Sequence, residues 1–133
     1  MKRILLSVIT LFIVNFVSAQ VTATIVDDAP YSYEEVEVRP EFPGGNNAFM
    51  TFISTNFQMP SDYDGSGGTL KVAFIIEIDG TVTNVNVVKD LGGGTGAEAK
   101  RVISKSPKWT SGETRGKKVR VLYEVPIKIA GQG

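Results

Sequence analysis

Few side chains in this sequence could carry out chemistry, because the two residue types that most often do so are absent. The 133 residues include no cysteine and no histidine. This excludes a thiolate nucleophile or ligand, a disulfide, and the commonest general base and transition-metal ligand. The remaining candidates are carboxylates of a small hydrolase, such as Asp62, Asp64 and Glu113, but no acid and base stand at a defined spacing. We therefore expect no enzymatic activity, no metal site and no cofactor.

Two ligand classes are disfavoured by motif and by charge. The glycine-rich loop from Leu91 to Gly96 lacks the spacing and the following lysine of a phosphate-binding loop. Lys plus Arg and Asp plus Glu both number 14, so no overall positive field would attract nucleic acid. A protein or peptide partner is left as the favoured ligand.

The N-terminus has the pattern of an export signal. Lys2 and Arg3 precede an apolar run from Ile4 to Val14, and Val17-Ser18-Ala19 supplies a small-residue cleavage site. We expect residues 1–19 to be a signal peptide and the protein to be exported. The alternative is an uncleaved membrane anchor, because no charge occurs in residues 4–26.

The chain then divides into a short tether and one domain. Residues 20–38 are acidic and polar without apolar periodicity, which indicates a tether, and residues 39–130 form the predicted domain. Within the domain, apolar residues at three-and-four spacing predict a helix from about Gly45 to Phe57. A second helix is predicted from Thr95 to Ser106, with Thr95 and Glu98 as a capping box.

Strict alternation of apolar and polar residues marks the strands. The first runs from Leu70 to Ile78, and Asp79-Gly80 predicts a type I′ hairpin turn into the second. The three valines of the returning strand change parity, so a bulge near Thr83–Asn84 would return all of them to the core face. These valines are Val82, Val85 and Val87.

The last strand has the features of a sheet edge. Its apolar residues alternate from Val119 to Ile129, and Pro126 cannot donate a ladder hydrogen bond. The interleaved Lys118 and Arg120 resemble the charges that discourage indiscriminate pairing at natural edges. The sequence thus predicts an α+β fold whose last strand can accept an extended peptide.

Five segments in this order and spacing resemble the C-terminal domain of TonB-type energy transducers, in the form common in Bacteroidetes. The segments are Arg39–Gly45, Ile78–Gly80, Val85–Lys89, Ser106–Trp109 and the terminal strand Val119–Ile127. The resemblance covers about residues 36–129. It implies a three-stranded antiparallel sheet packed on two helices in the order α-β-β-α-β.

The resemblance also implies a function. Members bind the N-terminal box of a TonB-dependent outer-membrane receptor as an added strand, which here would lie along residues 118–127. An anchored chain would be a minimal transducer that also contacts inner-membrane motor proteins, and an open edge permits a homodimer by strand exchange. Two further residues are either partner-binding or core residues: Trp109 and Met59. The predicted partner-binding residues are Lys118, Arg120, Leu122, Glu124 and Pro126.

Overall fold

The structure, a computed structural model, describes residues 29–131. The predicted signal peptide and residues 20–28 of the predicted tether lie outside the described residues. The elements in chain order are β1 (Tyr31–Ser32), α1 (Asn46–Asn56), β2 (Gly68–Ile76), β3 (Val82–Lys89), α2 (Thr95–Ser104), β4 (Gly112–Thr114), β5 (Lys117–Val119) and β6 (Val121–Ile129).

The α+β class is confirmed, but the strand count differs from the prediction. The main sheet has four strands in the order β1-β6-β2-β3, where three antiparallel strands were expected. The additional strand is β1, which pairs in parallel with β6 at Val121 and Leu122. The predicted last strand is also divided, because β5 pairs with β4 in a separate two-stranded sheet and only β6 joins the main sheet.

The described part of the predicted tether contacts the domain. After β1, the chain forms isolated bridges from Val38 to Glu113 and from Glu41 to Thr110. Val36 is only 6% exposed. We call residues 29–42 the N-terminal arm.

The hairpin and the bulge of β3 were predicted correctly, whereas the turn type was wrong. The register shifts by one residue near Asn84, which has a φ of 51°. The shift places Val82 and Val87 opposite the core residues Ile76 and Val72, and Val85 packs against the core. A second shift lies between Lys71 and Val72. In the turn, only Gly80 has positive φ, and its N–H donates to the Glu77 carbonyl at 2.9 Å. A type I′ turn would need two such residues, so this is a three-residue connection.

The start of α2 does not use the predicted capping box. Thr95 is the first helical residue, and its hydroxyl donates to the Gly92 carbonyl at 2.7 Å. The carboxylate of Asp90 instead accepts hydrogen bonds from the N–H groups of Gly92 and Gly96, at 2.8 and 3.1 Å. A carboxylate from the preceding loop therefore satisfies the first turn of the helix.

The core lies between the two helices and one face of the sheet. Trp109 sits at its centre, 6% exposed, with ring centroids of Phe49 at 4.8 Å and Phe74 at 5.8 Å. Its indole N–H donates to the Ser106 hydroxyl at 2.8 Å. Trp109 was predicted to be either a partner-binding or a core residue, and the structure places it in the core. Other fully buried core residues are Leu70, Val72, Ile76, Val102, Ile103 and Val125.

Candidate functional site

The candidate site is the edge of β6 that faces away from β2, called the β6 edge below. The backbone N–H groups of Tyr31 and Tyr33 donate to the carbonyls of Arg120 and Leu122 at 2.8 and 3.1 Å. Backbone groups of a strand alternate in direction, so even-numbered residues of β6 point toward this edge and odd-numbered ones toward β2. The N-terminal arm therefore occupies the first part of the edge.

The rest of the β6 edge is open in the part of the chain that the structure describes. β1 pairs only with Val121 and Leu122, and no other described strand lies beyond them. By the same parity, Glu124 and Lys128 each present an N–H and a carbonyl, and Pro126 presents a carbonyl alone. All three residues are exposed. This open segment is the place where an added strand could form a ladder.

Side-chain contacts hold the arm on the sheet. The ring of Tyr33 stacks on Tyr123 with centroids 4.1 Å apart, and the guanidinium of Arg39 lies 5.1 Å from the centre of the Tyr33 ring. Arg39 also pairs with Glu34 at 2.8 Å. Burial, followed by the neighbouring Tyr33, raises the pKa of the Tyr123 phenol above its usual value. The two-residue strand β1 is thus supported by an aromatic contact, and the later part of the arm is held by the bridges of Val38 and Glu41.

An apolar groove of about 630 Å³ runs beside the open segment. One wall comes from α1 and the residues after it, and the other comes from the end of β6. No residue of β2 contributes, so the groove lies on the β6 edge side of the sheet. Its lining residues are Met50, Ile53, Ser54, Phe57, Met59 and the segment 126–130.

Polar contacts to α2 fix the first wall. The Arg101 guanidinium donates to the Asn56 carbonyl at 2.9 Å, and the Gln58 N–H donates to the Glu98 carboxylate at 2.7 Å. Glu98 and Arg101 also pair with each other at 2.6 Å. The Arg101 guanidinium, and next the Gln58 N–H, lower the pKa of Glu98 to about 2. These bonds flank Phe57 and hold it at the groove.

The sheet face opposite the helices is basic at the same end of β6. Lys71 lies directly opposite both Pro126 and Lys89, so the three share one row of this face. Lys128 follows in the next row, opposite Thr69. All three lysines are exposed, and Glu124 is the acidic residue of β6.

The structure places the predicted partner-binding residues in three different settings. Leu122, Glu124 and Pro126 are exposed on β6, although the backbone of Leu122 is taken by the arm. Lys118 lies in β5 opposite Glu113, away from the main sheet. Arg120 lies between β5 and β6, and its guanidinium pairs with Glu77 at 2.7 Å. Only the part from Glu124 onward combines exposed side chains with an open backbone.

Sequence reasoning missed one wall of the site. Met59, predicted as a partner-binding or core residue, is 43% exposed and lines the groove. Met50 and Phe57 also line it, and both pack against the core as well. The three-and-four spacing identified the apolar face of the helix but not the groove that part of this face lines.

The carboxylates considered for hydrolysis have local structural contacts. Asp64 accepts a hydrogen bond from the Ser66 N–H at 2.9 Å, and that contact, first among its causes, lowers the pKa of Asp64. The backbone of Glu113 pairs with that of Val38. Within residues 29–131, no group of three acidic side chains could hold a metal ion, and no helix is long and apolar enough to cross a membrane.

Comparison with known proteins identifies one family. The family model for the Gram-negative bacterial TonB protein C-terminal matches residues 61–128, about half of the 133-residue chain. The match begins after α1 and covers β2 through all but the last residue of β6. No curated protein and no solved structure matches the chain significantly.

Proposed function

The chain belongs to the family of Gram-negative bacterial TonB protein C-terminal domains, and from this premise we propose that it binds the N-terminal box of an outer-membrane receptor as a strand added to the β6 edge. The family is a non-enzymatic domain of TonB-dependent transport, located in the periplasm or cell envelope, and its members interact with TonB-dependent receptors. The added strand, its position and export of this chain to the periplasm are our proposals.

One observation carries the proposal: the open backbone from Glu124 to Lys128. An exposed edge with outward N–H and carbonyl groups is a template for another strand, and strand addition is a common mode of peptide recognition. Because the arm bonds to Arg120 and Leu122, we place the added strand along residues 124–129. The sequence predicted that the added strand would lie along residues 118–127. That position would require the N-terminal arm to dissociate from β6.

The backbone hydrogen bonds between the open segment and the added strand cannot by themselves account for a useful affinity for the peptide. The open segment offers two N–H groups and three carbonyls, and each hydrogen bond contributes about 0.5 to 1.5 kcal/mol net. Association costs on the order of 4 to 15 kcal/mol in lost translational and rotational freedom. Side-chain burial must therefore supply the remainder, and the apolar groove beside the strand is the surface that can provide it.

Amide hydrogen exchange tests the position of the added strand. Peptides that cover the N-terminal box of each TonB-dependent receptor of the same genome are titrated into the protein. We expect the amides of Glu124 and Lys128 to exchange rapidly in the unbound protein and to become protected in the complex. The amides of Tyr31 and Tyr33 should stay protected in both states. Protection that appears elsewhere, or nowhere, would contradict the proposed site.

A membrane-anchored transducer is the alternative form of this function. It would retain residues 4–26, which carry no charge, and would also contact inner-membrane motor proteins. The intact mass of the protein from cell envelopes separates the two forms. A chain that starts at Gln20 supports the exported binding module, and a full-length chain supports the anchored transducer.

A further inference from the structure

We infer that the groove and the basic face together select added strands in which apolar and acidic side chains alternate. This inference rests on the proposed function. Successive side chains of a strand point to opposite faces of the sheet. One set of side chains from a strand at the β6 edge would therefore face the helix side, and the other set would face the row that contains Lys71.

The helix-side set meets the groove. The groove lies against residues 126–130 on the side of β6 where the added strand would run, and α1 forms its opposite wall. Its volume of about 630 Å³ is within the range of sites that enclose small ligands, so it has room for more than one apolar side chain. Burying each Val- or Leu-sized side chain is worth roughly 1.5 to 3 kcal/mol, which offsets the weakness of the ladder.

The opposite set meets positive charge. Lys128 lies on the strand that borders the guest, and Lys71 and Lys89 extend the charge across the sheet. Glu124 is the acidic residue of β6, and it stands at the arm end of the open segment. Exposed ion pairs contribute only about 0.2 to 1 kcal/mol each, so the lysines affect the choice of partner and its salt dependence more than the affinity.

The α1 wall of the groove precedes the segment that the family model matches. Residues 61–128 match that model, whereas α1 and Met59 lie before it.

Three short peptides test the inferred pattern. The first alternates Glu and Val over six positions, the second has the same composition in two blocks, and the third alternates Lys and Val. We expect the first to bind at least about tenfold more tightly than either other peptide, with an advantage over the Lys peptide that shrinks as salt is added. Equal binding of the alternating and block peptides would overturn the inference.

Substitutions on α1 test the contribution of the groove to peptide binding separately from that of the backbone hydrogen bonds. Ser54 lines the groove and is exposed, so Ser54→Trp should fill the groove while every β6 amide remains in place. Thr55→Trp is the matched control, because Thr55 is the next residue on the same helix, is exposed and does not line the groove. We expect Ser54→Trp to weaken the alternating peptide by at least about tenfold and Thr55→Trp to leave it unchanged.

A third variant distinguishes failure of this inference from failure of the proposed function. Glu124→Pro removes an outward N–H, with Glu124→Ala as its control for the lost side chain. If Glu124→Pro weakens binding and Ser54→Trp does not, strand addition holds and the groove inference is wrong. If Glu124→Pro has no more effect than Glu124→Ala, the proposed strand is wrong and the inference falls with it. Thermal unfolding of each variant confirms that it is folded.

Discussion

The ring of Tyr33 stacks on the ring of Tyr123, with centroids 4.1 Å apart and planes inclined by 22°. Tyr123 in turn contacts Phe74 edge-on at 5.7 Å, so this pair joins the N-terminal arm to the core. The ladder of β1 has only two residues. Because so short a ladder gives little stability, we regard the ring contact as what holds β1 on β6, while the bridges of Val38 and Glu41 hold the later part of the arm.

Removing the Tyr33 ring should therefore loosen β1 at the start of the arm. We expect Tyr33→Ala to lower the free energy of unfolding by about 1 kcal/mol and to speed amide exchange at Tyr31 by about tenfold. Tyr31→Ala is the control, because Tyr31 is 41% exposed in the same strand. Unchanged protection of the residue 31 amide in Tyr33→Ala would show that the ladder alone holds the arm.

Removing one outward donor from β6 should weaken an added strand. Lys128→Pro removes the N–H that faces the edge, and Pro126 shows that β6 accommodates proline at a position of the same parity. We expect the affinity for a bound receptor peptide to fall by about tenfold, as measured by calorimetry.

Lys128→Ala is the matched variant, since it loses the same side chain but keeps the amide. It should weaken binding by less than about threefold, through the lost charge. Equal losses in the two variants would show that the backbone of residue 128 does not pair with the peptide.

Acid should destabilise the protein through Glu98. Its pKa of about 2 lies below the usual 4.5, so the carboxylate stabilises the fold at neutral pH. That contribution is complete above about pH 4.5 and is lost as the pH falls toward 2. Because the Arg101 side chain is 38% exposed, solvent screening limits the effect to about 1 kcal/mol or less.

Urea unfolding at several pH values measures this contribution. Glu98→Gln should be less stable than the original protein at pH 7, and the difference should shrink between about pH 4.5 and pH 2. The same substitution should weaken peptide binding, because Glu98 holds the Gln58 N–H next to Phe57. A stability difference that does not vary with pH would rule out the carboxylate as the cause.

The hairpin turn should not tolerate a side chain at Gly80. Its φ is +88°, and a Cβ there would lie 2.1 Å from the Trp109 carbonyl oxygen. Gly116 is the matched control, because its φ is +72° but a Cβ would meet nothing within 4 Å. We expect Gly116→Ala to cost about 1 to 2 kcal/mol from backbone strain alone and Gly80→Ala to cost more than about 3 kcal/mol. Similar melting temperatures for the two variants would contradict this.

Local signals in the sequence were sufficient for most of the fold. The parity change between Val82 and Val85 located the bulge at Asn84, because only a bulge lets both side chains reach the core. Asp79-Gly80 located the hairpin, although the turn has positive φ at Gly80 alone and is not of type I′. Both predictions depended on neighbours within a few residues.

The positions of the open segment and of the groove depend on contacts between residues distant in sequence, which no local pattern reveals. Tyr31–Ser32 has no periodicity that would mark a strand, and its partners in the structure, including Tyr123 against Tyr33, lie about ninety residues later in the chain. The groove likewise requires α1 to stand apart from the end of β6, and helical periodicity reports which face is apolar but not what covers it. The sequence thus predicted an open edge but not which half of it is open.

The irregularities of β3 have a consequence for assembly. This strand forms the opposite margin of the sheet, and its two register shifts disrupt the even row of hydrogen-bonding groups that a further strand would need. A sheet that is receptive on both margins can link copy after copy into an open-ended fibre. With a receptive margin only at β6, two copies could pair through that margin, but the pair would present no further receptive margin to a third copy.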